Sequence, residues 1–419
     1  MRPEILFLCH RIPYPPDKGD KIRSWNEFAF LAKYADIHLG CFIDDPADWQ
    51  YTDALRQRCA SSHFAPLSPA LARLRSLRGI ARGEALSLPY YRDGGLRRWV
   101  AKTLRHRRIT AQFAFSGAMA QYVDWRQAGP KVLDLVDVDS DKWAQYAETV
   151  KGPMRRIYAR EARTLATAEA EFAGRADTTI LVTEPEAALL RQRAELAEDK
   201  VVAIGNGVDT DNFCADLPLP SPFLDDAPAL VFTGAMDYWP NVDAAHWFAT
   251  QVMPLIRRAE PRARLYIVGG NPDPRLIGLG DDPAIVVTGR VPETRAYIAQ
   301  ATVSIAPLRI ARGIQNKVLE AMACGRAIVA SPQAFEGLDA EPGRDLIVAD
   351  GAPAMAQAVS GLIGDPARRA QLGRAARALA ESRYRWASRL SPLLPLLGLE
   401  PADRFTPAAD NDHLRAAQS

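Results

Sequence analysis

The sequence predicts an α/β protein built on parallel sheets, and three observations carry that prediction. Short apolar, β-branched runs alternate with longer amphipathic stretches along all 419 residues, the pattern of strands joined by crossover helices. The alternation restarts in a second half, with the turn Gly205-Asn206-Gly207-Val208-Asp209 as the domain boundary, and a chain of this length holds roughly 100 to 200 residues in each of its domains. Residues 303 to 330 then read as strand, loop, helix and strand, the setting for a ligand at the carboxyl edge of a parallel sheet.

In the first half the apolar runs place strands near 4–9, 37–43, 112–115, 131–136 and 179–182, with helices near 20–34, 94–106 and 153–173. In the second half strands fall near 201–204, 229–233, 264–268, 284–287 and 303–306, and helices near 241–258, 292–300 and 315–324. Gly205 and Gly207 are expected to supply positive-φ turn positions at the boundary. Pro218, Pro220, Pro222 and Pro228 then make a loop. The resulting division is an N-terminal domain over 1–204, a C-terminal domain over 205–385, and a last segment over 386–419 with a polar, frayed tail.

Composition excludes several classes. Apolar residues make up 48% and charged residues 24%, and 52 basic residues face 50 acidic ones, so neither a disordered chain nor a charge-driven coat protein is expected. Five scattered cysteines form no C-x-x-C pair, which fits a reducing cytoplasmic setting. The first apolar run, Ile5 to Cys9, is shorter than a signal-peptide core. Leu390 to Leu399 is broken by Pro392 and Pro395, so any membrane contact is expected to be peripheral.

One segment departs from the average. Residues 71–109 carry eleven Arg or Lys against Glu84 and Asp93, interleaved with Leu71, Leu74, Leu77, Ile80, Tyr90, Tyr91 and Trp99. Cations mixed with apolar groups suit an anionic membrane surface, while a solvated helix face is the plainer alternative. No RNA or DNA motif accompanies the patch, so nucleic acid is not an expected partner.

The chemistry concentrates between Arg309 and Ala330. Gly313 lets the chain turn into a helix whose first amides, at Ile314, Gln315 and Asn316, point at whatever lies before it, and a diphosphate suits that place. Arg309, Arg312 and Lys317 add cations. Glu320 stands three residues after Lys317 and four after Asn316, on their face of the helix. There its carboxylate can accept hydrogen bonds from a ribose diol or simply pair with Lys317. Farther back, Asp137-Val-Asp139-Ser-Asp141 invites metal readings. The EF-hand spacing with Glu148 fails because Lys142 stands where that loop needs glycine. Asp137 and Asp139 are instead expected at the carboxyl end of their strand, facing the cleft between the domains, as candidate catalytic residues, unless Asp139 or Ser140 caps the next helix. His10, just after the first strand, is the one histidine placed to reach the same region.

The Asn316-Lys-Val-Leu-Glu-Ala-Met-Ala-x-Gly-x-x-Ile-Val-Ala run resembles the donor-binding signature of the retaining glycosyltransferases of family 4. Their GT-B fold has two facing Rossmann-like domains and a C-terminal helix that crosses back to the first. Further matching pieces include Pro13-Tyr-Pro-Pro-Asp-Lys-Gly-Asp-Lys-Ile-Arg23, Phe232-Thr-Gly-Ala-Met-Asp-Tyr-Trp-Pro-Asn241 and Leu265-Tyr-Ile-Val-Gly-Gly270. The opening, with Asp137-Val-Asp-Ser-x-Lys-Trp143, is similar to sugar transferases of PEP-CTERM/exosortase exopolysaccharide clusters.

The resemblance implies a ribose-binding Glu320, phosphate-binding amides from Gly313 to Asn316, a nucleobase edge at Arg290 and Val291, and donor-phosphate contacts at Gly19 and Gly234. It implies a nucleoside-diphosphate sugar as donor, no other cofactor, no metal, and a lipid-linked or polysaccharide acceptor. Departures are also present. Arg312 replaces the family's first glutamate, Met236 to Asn241 replace its Arg-Lys pair, and Asp20 replaces a second glycine. A degenerate donor-binding subunit and a nucleotide-sugar epimerase are the alternatives on the same fold, and the low histidine count disfavours the epimerase.

Overall fold

The strand pairs of the protein are parallel, as expected where each apolar run is followed by a crossover rather than a tight turn. A computed structural model describes residues 2–16, 19–311 and 313–400. Two units divide the chain, one running to Ile204 and taking in the stretch from Leu390, the other Gly205–Arg389.

The first unit holds β1 (Glu4–Cys9), β2 (Asp36–Ile43), β3 (Ser61–Pro66), β4 (Ile109–Phe115), β5 (Lys131–Val136), β6 (Thr178–Leu181) and β7 (Val201–Ala203), in the order β3-β2-β1-β4-β5-β6-β7. The second holds β8 (Ala229–Thr233), β9 (Arg264–Val268), β10 (Ile285–Gly289), β11 (Val303–Ala306), β12 (Ile328–Ala330) and β13 (Ile347–Val348), in the order β10-β9-β8-β11-β12-β13. Each sheet reverses its winding beside its first strand, between β1 and β4 and between β8 and β11. In doubly wound sheets ligands bind beyond the strand ends at that point. The central strands are buried on both faces, Ile5 to Cys9 completely, which is why they read as continuous apolar runs.

Several expectations need correction. Residues 201–203 do not open the second sheet. They pair with β6 as the last strand of the first. Strand β3 escapes a reading by composition because Ser61-Ser-His-Phe-Ala-Pro66 is polar and ends in proline, which an edge strand tolerates. The helix expected over 241–258 is two helices, Trp239–Trp247 and Met253–Ala259, joined by a π turn at Phe248–Val252. Pro254 lacks an N–H and its ring cannot fit a regular helical turn. Gly205 and Gly207 are absent from the positive-φ positions. Gly207 is crowded instead, since an added Cβ would lie 2.8 Å from the Trp386 backbone, whereas at Gly205 it would meet only side-chain ends, the Arg389 guanidinium at 2.3 Å.

The basic segment folds as the helices Pro69–Arg82, Ser87–Tyr90 and Gly94–His106. Tyr90, Tyr91 and Trp99 turn inward onto the core of the first unit, and only the first helix keeps its apolar groups outside. Ala72 and Ser76 are buried, whereas Leu71, Leu74 and Leu77 are 59 to 63% exposed and Ile80 is 45% exposed. Arg160 of the helix Pro153–Arg175 binds the Gly79 and Glu84 carbonyls, and Met154 and Ile157 of that helix are exposed. Arg73, Arg82, Lys151, Arg155 and Arg156 are also exposed. Among the described residues no helix is long and apolar enough to cross a membrane.

Charge is also buried inside the first unit. Arg23 and Asp134 are at most 1% exposed, and Arg23 Nε donates to Asp134 Oδ2 at 2.8 Å. Glu27 lies beside them, 3.1 Å from Arg23 Nε. Burial and the Asp134 charge push its carboxyl well above the usual carboxylate range, against the pull of Arg23. Removing one partner of such a pair strands the other. Asp134→Ala is therefore expected to lower unfolding stability by about 3–5 kcal/mol, measured by urea denaturation. A loss below about 1 kcal/mol would contradict a structural role for the pair.

Candidate functional site

The carboxyl ends of β8 and β11 carry most of the residues singled out in the second unit. β8 runs into Gly234, where an added Cβ would sit 2.7 Å from Asn241 Nδ2 and 3.4 Å from Lys317 Nζ, so only glycine leaves room there. β11 runs through Arg309 and Gly313, at φ 65°, into the helix Asn316–Ala323, with Gln315 as its extended cap. The Gln315 side chain donates to the Gly313 carbonyl at 3.0 Å. The first-turn amides of Asn316 and Lys317 have no acceptor within the helix. Val318, Leu319 and Met322 are buried and fix its orientation, and Asn206 Nδ2 donates to Asn316 Oδ1 at 3.2 Å.

Lys317 is the centre of this arrangement. Its Nζ donates to Asn241 Oδ1 at 2.6 Å and lies 4.4 Å from the centroid of the Phe232 ring. Asn241 Nδ2 in turn donates to the Ala235 carbonyl at 3.0 Å, so the loop after β8 and the helix after β11 are tied together. Burial lowers the Lys317 ammonium to about 7, and the nearby Glu320 charge only partly opposes the shift. Burial likewise raises Glu320 to about 7, with Lys317 opposing. Among the described residues nothing hydrogen-bonds the Glu320 carboxylate. A largely buried cation, first-turn amides without an acceptor in their own helix, and a carboxylate without a hydrogen-bond partner among the described residues form a seat for an anion that also carries hydroxyls.

The other candidates are placed less directly. Arg309 is half exposed and its guanidinium is engaged by Asp243, with Nε 2.9 Å from Oδ2. Arg312 lies outside the described residues. Gly289, at φ 69°, ends β10. After it Arg290 is exposed, while Val291 is half-buried against the cluster around Tyr266. Ile314 is buried. Sequence reasoning missed Asn241 as the partner of Lys317 and Asp243 as the partner of Arg309. Nothing local signals either contact, because the partners are separated by 76 and 66 residues.

In the first unit, β5 ends in strain. Val136 has φ 69°, rare for a β-branched residue, and the Asp137 amide bonds back to the Leu135 carbonyl at 2.9 Å, a γ-turn. Asp134 Oδ1 accepts from the Val136 amide at 2.8 Å, so the buried ion pair holds the turn. Beyond it Lys142 Nζ bridges Asp137 at 2.6 Å and Asp139 at 3.2 Å. The cap of the following helix is Val138, without a side-chain bond, and Ser140 binds Glu169 instead. At the end of β1, His10 Nε2 lies 3.3 Å from Asp20 Oδ2, which Arg11 also binds. The bonds from His10 and Arg11 hold the Asp20 carboxyl well below the usual range, although burial opposes them. Gly19 opens the helix Gly19–Leu31, and nothing lies within 4 Å of where its Cβ would be. Asp17 and Lys18 of that loop, and the tail from residue 401, lie outside the described residues. Among the described residues no three metal-ligating side chains gather.

Residues 227–365 match the family model for glycosyl transferases group 1. The GDP-mannose-dependent alpha-(1-6)-phosphatidylinositol monomannoside mannosyltransferase of Mycolicibacterium smegmatis is 30% identical over 211 residues, which cover 46% of this chain and 54% of that protein. The chain thus spans about half the length of the curated relative it matches. Among solved structures, Alr3699/HepE of Anabaena in complex with UDP and glucose is similar with a TM-score of 0.67 at 15% identity, over 94% of this chain and 99% of that one. Sucrose-phosphate synthase of Thermosynechococcus elongatus gives 0.67 at 16% identity, over 94% and 98%. These likenesses show the fold, GT-B, with two Rossmann-like parallel-sheet domains.

The lowered Lys317 value has a direct consequence for anion binding. Above pH about 7 the unoccupied site loses its ammonium charge. Affinity for inorganic pyrophosphate is therefore expected to fall as pH rises through that value, measured by calorimetry. Lys317→Arg keeps its charge over the same range and is expected to lessen that fall, the remainder coming from Glu320, whose carboxylate becomes charged over the same range. An identical alkaline fall in both proteins would remove Lys317 from the anion seat.

Proposed function

We propose that the protein is a glycosyltransferase that moves a sugar from a nucleoside-diphosphate sugar to a lipid-linked or polysaccharide acceptor, with retention at the anomeric carbon. The observation that carries this reading is the seat formed by Lys317, the start of the helix Asn316–Ala323 and Glu320, at the point where the second sheet reverses. The family-model match over that unit and the mannosyltransferase relative support the transferase class. The names of GDP-mannose and UDP in the relatives support a nucleotide donor.

In this reading the helix amides and Lys317 stabilise the departing diphosphate in a preorganised way, and Glu320 accepts hydrogen bonds from the ribose. Gly19 and Gly234 leave room for the phosphates, Arg290 and Val291 hold the base, and Arg309 and Arg312 complete the cationic surround. The acceptor oxygen bonds to the anomeric carbon on the face the diphosphate leaves, and the departing phosphate takes the acceptor proton. Asp137 and Asp139 orient hydroxyls of the sugar or acceptor. No metal and no further cofactor are assigned. The pairing of both aspartates with Lys142 supports that assignment, since a lysine already stands where a cation would bind them.

The apolar stripe Leu71, Leu74, Leu77 and Ile80, framed by arginines, supports peripheral attachment to the cytoplasmic face of an anionic membrane, where a lipid-linked acceptor resides. Exopolysaccharide synthesis, as in the PEP-CTERM clusters, is the setting we assign. Nucleic acid has no part in it.

A thermal-shift panel of uridine, guanosine, adenosine and thymidine diphosphates and their sugars, with and without EDTA, tests the donor site. Stabilisation is expected with one base, to persist in EDTA, and to weaken by about tenfold in ligand concentration in Glu320→Ala. An unaltered Glu320→Ala would remove the ribose role. Sedimentation with vesicles tests the membrane reading. Binding is expected to phosphatidylglycerol-containing but not pure phosphatidylcholine vesicles, and to drop about tenfold or more when Leu74 and Leu77 become serine. Equal binding to both vesicle types would overturn the electrostatic part.

A further inference from the structure

Arginines crowd the amino ends of β11 and β12, opposite the carboxyl edge that carries the anion seat. On the helix Pro366–Arg383, residues four apart share one face, and Arg369, Gly373, Arg377 and Glu381 form such a row with Arg374 beside it. Gly373 brings that face onto the turn before β12, because an added Cβ on it would lie 2.0 Å from the Gly325 carbonyl oxygen. Arg326 is next in the chain. It lines one open cavity of about 560 Å³ together with Arg369, Arg374, Arg377 and Glu381.

These guanidinium groups are unequally occupied. Arg377 is fully engaged, since its Nε donates to Glu381 at 2.8 Å and one Nη binds the Phe213 and Ala323 carbonyls. Arg369 uses one Nη to bind the Leu362 and Ile363 carbonyls. Arg326 is half-buried, yet among the described residues it bonds only the Cys324 carbonyl, from Nε at 3.2 Å. Arg11 and Arg295, half-buried to a similar degree, each hold a carboxylate. Arg374 is exposed, and neither it nor Arg326 has an ion-pair partner among the described residues. Burial holds the Arg326 guanidinium below its ordinary range, with Cys324 and Asp216 opposing only in part. The lining thus carries four positive charges against one carboxylate, and Arg377 already holds that carboxylate.

Like charges gathered in this way repel one another, and an anion between them removes the repulsion and fills the open N–H groups. Forked N–H pairs suit the oxygens of a phosphate monoester, which carries nearly two charges at neutral pH. The cavity is larger than a bare phosphate and of the size that holds a small organic ligand, and Ala301, Ala327 and Ala370 offer apolar surface to an organic part. It is separate from the donor seat. The helix Asn316–Ala323 begins at that seat and ends just before Cys324-Gly325-Arg326, about 12 Å farther on at 1.5 Å per residue.

We infer that this cavity is a second anion site, which takes the phosphate monoester of a small organic molecule or of a lipid headgroup through Arg326 and Arg374. Calorimetry of the full chain with glycerol 3-phosphate and mannose 6-phosphate tests the first source. Sedimentation with vesicles of phosphatidic acid in phosphatidylcholine tests the second, in a chain carrying Leu74→Ser and Leu77→Ser so that the apolar stripe does not contribute. Arg326→Ala and Arg374→Glu are each expected to weaken binding about tenfold or more, and Lys317→Ala to leave it within about twofold. Arg374 is exposed, so its variant keeps the test open should Arg326→Ala fail to fold. Binding of the soluble esters identifies a small-molecule site, and binding of the vesicles alone identifies a lipid headgroup. Binding of no probe, or binding that Arg374→Glu leaves unchanged, overturns the site. Binding abolished by Lys317→Ala would put the ester at the donor seat and overturn it equally.

Discussion

A lysine ammonium held between an amide oxygen and the face of a phenyl ring organises the carboxyl edge of the second unit. Removing that charge from water is costly, and the contacts of Lys317 with Asn241 and Phe232 only partly offset the cost, as its shift toward neutrality reflects. Every neighbouring feature answers to this tension. Gly234 stays without a side chain so that Asn241 and Lys317 can meet, and Gly269 packs against the Gly234 carbonyl, where an added Cβ would lie 1.7 Å away. Glu320 waits one turn along the helix without a hydrogen-bond partner among the described residues. An arriving anion would restore the charge of the lysine, so binding and protonation are linked.

The two units share a winding but differ at their carboxyl edges. The second gathers helix amides and a cation. The first gathers acceptors: Asp20 beside His10, and Asp137 and Asp139 beside Lys142, behind a strained turn at Val136 that a buried ion pair enforces. Strain of that kind persists only where the surroundings over-determine it. The carboxylates of the first edge are thus already held by the cations His10, Arg11 and Lys142, whereas the second edge leaves its lysine with an amide oxygen and a ring.

Much of this was legible in the sequence, because the signals were local. Parallel strands buried on both faces read as apolar runs, and the helix from Asn316 announced itself through a preceding glycine and a buried stripe. Strand β3 was not legible, since an edge strand with one polar face carries little pattern. The membership of residues 201–203 was also hidden, because hydropathy reports that a strand exists and not which sheet it joins. Gly207 was recognised as constrained, but for the wrong cause: crowding by the backbone of Trp386, far along the chain, leaves no local trace. The same distance hid Asn241 and Asp243.

The exposed leucines of the helix Pro69–Arg82 also bear on how the purified protein behaves. Three leucines and an isoleucine in water, on a chain whose net charge is only +2, leave little long-range repulsion to keep molecules apart when they collide through that stripe. Colloidal stability then rests on the arginines beside the stripe, so added salt screens the repulsion while leaving the apolar attraction intact. Concentrated stocks are best held at low ionic strength or with a mild detergent covering the stripe, and crystallisation driven by salt will tend to join molecules along this helix first.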